Sequence, residues 1–412
     1  MGSWADIHRD ILQVIAEKFT HHMDFLHFAA VCKPWRSFAM DNLHRLPHEL
    51  PLRYCLPLQN PVPLLMHFND AEAEGRLDFF SIVDRKYVSG FFLPEINQKW
   101  IAGSSNGWLF MIEMNGQEVH LLNPFTRAQI PLPSPSTFQH PGGDDFIEDE
   151  DFGFIEKAVI SSNPNRRSSG GDCIVMAIIS YMAVLSFCRP GDDKWTNLEG
   201  SMAYLSDVVP YKGQFYAITE MGTTIVCDAT GDGNVKEIVN GGCGPRKRHL
   251  VESASGDLLH VARIMDEDTE SFTTDFDLYK LEAVDESKID AMREFECNLT
   301  LDGAIAPQRE FGFRWVKLES LGDQVLFLGH NCSLCLPSQS VPGCKRNCVY
   351  FTDDDDGRYA VLTRNVHESD DDILFHRGVS VYDVENRSIE PFGETKDKPF
   401  VVPPVWISPN PW

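Results

Sequence analysis

NGWLFMI, residues 106–112, is the stretch on which the architecture turns. A glycine opens it, free of the Cβ that would clash in a tight turn, and aromatic and apolar residues follow. That is the composition of a strand leaving a hairpin. The same construction recurs as GDCIVMA at Gly171, KGQFYAI at Gly213, SGDLLHV at Gly256, LGDQVLF at Gly322 and RGVSVYD at Gly378. The glycines lie 64, 42, 43, 66 and 56 residues apart, a mean of about 54. Repeats of roughly 40–50 residues built from several short strands mark a β-propeller, in which each sheet buries its faces against its neighbours. A single β-sandwich is the rival, but the strand-rich region is too long for one. The spacing predicts about six or seven blades. IVMAIISYMAVLSF (174–187) is too short to span a bilayer and reads as two buried strands with a turn. AVDESKIDAMREF (283–295) is one possible helix in this region.

Upstream the pattern changes. Ile11, Ile15 and Phe19 recur every four residues with Leu12 beside them, which predicts a helix capped by Asp6 or Asp10. Asp24 can cap a second helix, on which Phe25, Phe28, Ala29 and Cys32 share a face. Pro34 suits the first turn of a third, carrying Trp35 and Phe38. Leu26, Ala30 and Val31 fall off the second stripe, so that helix is apolar nearly all round. A unit of about 40 residues has too little interior to hide this surface, and either the rest of the chain or another protein must cover it. Residues 41–60, with scattered prolines, read as a fairly stiff connector.

The 412 residues carry a formal charge of −25, which argues against nonspecific binding to nucleic acid or anionic membrane. The N-terminus shows no positive region followed by an apolar run, so no signal peptide is expected. The eleven scattered cysteines then read as reduced thiols of a cytoplasmic or nuclear protein. The sequons at Asn298, Asn331 and Asn386 read as chance matches on that view.

Residues 4–39, WADIHRDILQVIAEKFTHHMDFLHFAAVCKPWRSFA, resemble an F-box. The tail Val31-Cys32-Lys33-Pro34-Trp35-Arg36 matches that family's Val-Cys-(Lys/Arg)-x-Trp-Arg ending, and Asp10-Ile11-Leu12 with Ile15 matches its first helix. Ile7-His8 stands where the family has Leu-Pro, and His8 lacks proline's fixed φ. Downstream, LLNPFTRAQIPLP (121–133), WVKLESLGDQVLFLG, GVSVYDVENRSIEPF and PPVWISP resemble, in order, plant F-box proteins whose C-terminal domain is a kelch-like, KIB-type β-propeller. The resemblance implies an α+β multidomain chain: a three-helix F-box at 1–42, a linker at 43–60 and an all-β propeller at 61–412. It also implies docking on a Skp-type adaptor and, through it, on cullin and RING subunits, with the propeller holding a protein substrate for ubiquitination. Adaptor contact is then expected from Ile7, Ile11, Leu12, Ile15, Phe25, Val31, Cys32, Trp35 and Arg36. The departure at His8 leaves open an interaction protein that serves no ligase. A propeller enzyme or sugar-binding protein is a third reading.

Residues bearing their own chemistry are few. Cys332, Cys335, Cys344 and Cys348 form two thiol pairs that could hold tetrahedral zinc. Their gaps depart from a zinc ribbon, and cysteines in strands are more often small buried hydrophobes. Calcium loops fail on position: from Asp228 the sixth residue is Gly233 but the twelfth is Val239, and from Thr352 the first lacks a carboxylate and the twelfth is Thr363, so the acidic runs at 144–151, 353–356 and 368–372 read as exposed loops open to a basic substrate. GPRKRH (244–249) resembles a short nuclear-import patch, though a basic cluster of this size beside a strand is more often a turn. Trp100, Trp108, Trp195 and Trp315 read as blade core, with a lining of the central pocket as the alternative. No nucleophile–base pair, phosphate loop or zinc-protease spacing is found. The expectation is a non-catalytic receptor without a cofactor.

Overall fold

The computed structural model describes residues 4, 7–16, 18, 28–29, 31–41, 63–68, 75–82, 85–113, 118–138, 155–164, 173–179, 184–200, 204–228, 234–241, 246–265, 273–284, 312–352, 379–392 and 404–408. Within them the strands form six sheets, which fixes the blade number at six. Blade 2 shows the construction: Lys99–Ser105, Trp108–Glu113, Val119–Leu122 and Gln129–Leu132 follow one another antiparallel. Asn106 and Gly107 both take positive φ, 51° and 81°, in the two-residue turn between its first strands. Such a turn matches the twist of the strands it joins. Lys212 and Gly213 repeat it in blade 4.

Blades 3, 4 and 5 have inner strands Ile155–Ile160, Leu205–Tyr211 and Arg248–Glu252. Blade 1 is assembled from both ends of the chain. Val405–Ile407 supplies its inner strand and pairs antiparallel with Leu64–Phe68, with Trp406 opposite Leu65. A ring closed this way leaves no open sheet between first and last blades. Blade 6 has five strands. Leu334–Pro337 is innermost and pairs antiparallel with Gln324–Leu328, which runs parallel to Cys348–Thr352.

Alternation along the strands feeds six apolar clusters, one at each junction between neighbouring blades. In blade 3, Val175 and Ala177 face blade 2, while Met176 and Ile178 face blade 4. Period-two patterning of this kind places successive side chains on opposite sheet faces. Two fully buried arginines on blade 5 stitch it to its neighbours. Arg248 donates from Nε to the Glu220 carbonyl at 2.7 Å, and Arg263 donates to the Thr352 carbonyl at 2.8 Å while lying 5.3 Å over the Phe351 ring.

The segment 174–187 forms two paired strands, Val175–Ile179 and Val184–Cys188, as its composition requires. The possible helix at 283–295 is corrected at its first two residues: Ala283 ends the strand Thr273–Ala283 and Val284 follows it. The remainder of that stretch, the linker 43–60 and the three acidic runs lie outside the described residues.

Ahead of the propeller two helices are described, α1 (Arg9–Ala16) and α2 (Lys33–Asp41). Most of the expected middle helix lies outside the described residues, and Phe28 and Ala29 within it have helical backbone. Pro34 sits in the first turn of α2, where its missing N–H costs nothing. His8, rather than Asp10, begins α1: its carbonyl accepts from Ile11 at 3.0 Å and its Nδ1 from the Asp10 amide at 3.4 Å. Arg9 pairs with Asp41 across the helices and lies 5.8 Å over the Phe38 ring.

Candidate functional site

Two surfaces present chemistry that a partner can use. The first is the helical N-terminus. Trp35 is 7% exposed, packs against Phe28 at 4.7 Å and donates its indole N–H to the Trp4 carbonyl at 2.8 Å. Leu12, Phe28, Phe38 and Ala39 are buried with it, in an apolar cluster continuous with Leu64, Phe79 and Met111 of blades 1 and 2. Ile7, Ile15 and Cys32 pack partly buried against this cluster. Arg36 is half-buried and donates its amide to the Cys32 carbonyl at 2.9 Å. Phe25 lies outside the described residues. Of the nine residues expected to meet an adaptor, Ile11 (54%) and Val31 (52%) are the large exposed hydrophobics. Sequence reasoning missed Val14, 57% exposed and three residues from Ile11 on the same face, and Trp4, 71% exposed. The apolar surplus of the segment is therefore divided: one face is buried on the chain itself, and another stays on the surface.

The second surface is one mouth of the propeller channel. Residues 329–333 thread into the channel from blade 6. The Cys332 amide donates to the Ser104 carbonyl of blade 2 at 2.8 Å, and Trp406 of blade 1 donates its indole N–H to the Leu328 carbonyl at 3.1 Å. At Gly103, with φ of 144°, a Cβ would stand 2.9 Å from the His330 carbonyl, so the plug needs glycine there. Close to Cys332, Lys157 and Asp207, on the inner strands of blades 3 and 4, form a buried ion pair. Asp207 also accepts from the Leu250 and Val208 amides at 2.8 and 2.7 Å. At the plug opens a cup of about 230 Å³, formed where inner strands of blades 1, 2, 4 and 5 end against Cys332–Cys335. Val209, Pro210 and Leu334 give it apolar walls, Ser104, Ser105 and Ser408 give it hydroxyl-bearing ones, and Glu252 brings a carboxylate.

The four tryptophans serve as blade core. Trp100, Trp108 and Trp195 fill the junction of blades 2 and 3, and Trp315 packs between blades 4 and 5 with its indole N–H on the Thr224 hydroxyl at 3.0 Å. The thiol quartet is dispersed. Cys332 packs toward blades 3–5, Cys335 into the junction of blades 5 and 6, and Cys344 and Cys348 into that of blades 6 and 1. Burial pushes the Cys332, Cys335 and Cys348 thiols up to about 11 and Cys344 to about 12, holding them away from the thiolate a metal needs. Among the described residues no three His, Cys, Asp or Glu side chains come together as a metal site. Nor is GPRKRH a free basic peptide: Arg248 and His249 are 1% and 3% exposed, and Arg246 pairs with Asp277 at 3.3 Å. No helix of the described residues is long and apolar enough to cross a membrane.

Six four- or five-stranded sheets in a closed ring, behind a small helical unit with an exposed apolar face, define a six-bladed β-propeller protein. The KIB1-4 beta-propeller family model matches residues 79–383, and the chain belongs to that family. It is 24% identical over 436 residues to the F-box protein SKIP23 of Arabidopsis thaliana, covering 99% of this chain and 96% of the relative. A putative F-box/kelch-repeat protein of the same plant is 25% identical over 86% of this chain and 87% of its own length. The resemblance to plant F-box proteins with a KIB-type propeller holds for the whole chain.

Proposed function

We propose that this chain is the substrate-recognition subunit of a Skp–cullin–F-box ubiquitin ligase. The N-terminal helices dock on a Skp-type adaptor, which links to cullin and RING subunits, and the propeller holds a protein substrate. The chain makes no bond itself. Its contribution is proximity, raising the effective concentration of a substrate lysine near the charged conjugating enzyme. The working compartment is the cytoplasm, the nucleus or both.

The observation that carries this reading is the exposure of Ile11 and Val14 on one face of α1 and of Val31 at the head of the Val31–Arg36 run, in a chain similar along nearly its whole length to proteins named for an F-box. In this arrangement Ile11 and Val31 touch the adaptor, while Leu12, Trp35 and Cys32 hold the helices that present them. Co-expression with a plant Skp-type adaptor and affinity capture tests it. The wild-type chain retains the adaptor, and the surface double variant Ile11→Asp/Val31→Asp loses it with its melting curve unchanged. A wild-type chain that captures no adaptor contradicts the reading.

A further inference from the structure

We infer that the cup at the channel mouth takes a single cationic side chain, lysine or arginine, from an extended segment of the protein partner. This rests on the receptor role proposed above and specifies what that receptor reads.

The size comes first. At about 230 Å³ the cup suits one long side chain and is too small for a folded element. Its chemistry is graded like such a side chain. Val209, Pro210 and Leu334 offer apolar wall to an aliphatic stem, and Glu252 offers a carboxylate to its charged end. Glu252 is exposed, and no cation among the described residues pairs with it. Two cations lie near the cup and both are engaged elsewhere: Lys157 by Asp207, and Lys212 by the Tyr211 ring at 4.8 Å. An anionic ligand would therefore meet the Glu252 carboxylate at the cup, in a chain whose net charge of −25 favours basic partners over distance. Ser408, half-buried at the rim, adds a hydroxyl acceptor for an ammonium or guanidinium, while the Ser104 and Ser105 hydroxyls are engaged within the protein by the Trp406 carbonyl and the Ile160 amide.

The plug gives the cup a firm floor. Its backbone is tied to blade 2 through the Cys332 amide, and the Gly103 contact leaves the loop no room to sink deeper. The binding groups thus come from strand ends and a packed loop, so little ordering is needed when a ligand enters.

The test uses the full chain and capped pentapeptides, acetyl-Gly-Gly-X-Gly-Gly-amide with X as Lys, Arg, Gln, Leu or Glu, titrated by ligand-observed NMR. The Lys or Arg peptide binds saturably and at least tenfold more tightly than the Gln, Leu and Glu peptides. Glu252→Gln, a surface change, removes that preference, and Ser333→Leu, which fills the cup, removes binding. High salt weakens the cationic peptides selectively. Equal binding of the Gln or Leu peptide, no saturable binding of either cationic peptide, or indifference to Glu252→Gln overturns the assignment. Adaptor capture is measured on the same Glu252→Gln protein and stays at wild-type level. A chain that binds the cationic peptides but captures no adaptor overturns the receptor role and leaves the cup standing; the reverse result overturns the cup alone.

Discussion

Removing the Trp406 side chain tests how the ring is held shut. Trp406 lies on the three-residue strand Val405–Ile407, which among the described residues pairs the C-terminal part of the chain with its first blade. It is fully buried, its ring stands edge-on to Phe327 at 5.2 Å, and its indole N–H satisfies the Leu328 carbonyl of blade 6 at 3.1 Å. Burying roughly 200 Å² of aromatic surface at about 25 cal/mol per Å² is worth about 5 kcal/mol. Aromatic-to-alanine changes in cores cost about 3–5 kcal/mol once relaxation is included. Leaving the Leu328 carbonyl unpaired adds a penalty on the order of 1–3 kcal/mol. Against a total stability of about 5–15 kcal/mol, Trp406→Ala should remove a large share. Urea unfolding followed by far-UV circular dichroism reads the loss as a lowered midpoint. Trp406→Phe, which keeps most of the apolar area and loses the hydrogen bond, should fall between the two. Amide exchange in Trp406→Ala should accelerate first in Leu64–Phe68, the strand that Trp406 helps pair. A cost below about 1 kcal/mol, or exchange that rises evenly in all six blades, would refute the role of this strand as the closure.

Three further outcomes are expected. Lys157→Met leaves Asp207 buried without its counter-ion and should cost about 3–5 kcal/mol, while Lys157→Met/Asp207→Leu should recover part of that loss in the same urea assay; equal costs for both would show that the pair is not coupled. Acid should destabilise the fold as pH falls from 6.5 towards 4. Burial and the neighbouring Lys99 hold His120 down near 4, and burial with Arg248 lowers His260, so the unfolded chain takes up these protons first and native stability drains away across that window. His120→Gln should flatten part of the pH dependence of the urea midpoint, and a midpoint that rises on acidification would contradict the cause. Finally, a zinc chelator should leave the melting temperature unchanged, because the four thiols at 332–348 are split between three packing environments, with Cys344 and Cys348 sharing one and Cys332 and Cys335 each in another; a drop of several degrees would show that they share a metal.

Much of this fold is written locally. Gly107, Gly213, Gly256 and Gly322 each mark a turn by residue type, and each has positive φ in the structure. The strands after them needed only β-favouring composition to be read. The irregular spacing that left the blade count open has a plain origin: the connections between 138 and 155, 284 and 312, and 352 and 379 are long, and they lengthen some repeats and not others. The pairing of Val405–Ile407 with Leu64–Phe68 had no local signature, since it joins segments some 340 residues apart. The parallel pairing in blade 6 was equally silent, because Gln324–Leu328 and Cys348–Thr352 read as ordinary strands from either side. Periodicity found the apolar faces of the N-terminal helices but not which face the chain covers. Leu12 and Ile11 are neighbours of similar hydrophobicity, and only packing sends one inward at 2% exposure and the other outward at 54%. The cup gathers strand ends from several blades, so no spacing in one segment announces it. A positional clue was present, since Ser104–Asn106, Pro210 and Glu252 all lie just before a turn glycine.

The measurement that bears most directly on the proposed role is quantitative adaptor binding, by biolayer interferometry, with the immobilised full chain and a purified Skp-type adaptor. Saturable binding is expected, weakened at least tenfold by Ile11→Asp or Val31→Asp, with the propeller's melting curve intact. No binding by the wild-type chain, or binding that both surface charges leave unchanged, would contradict the assignment of the N-terminal helices as the ligase-docking face.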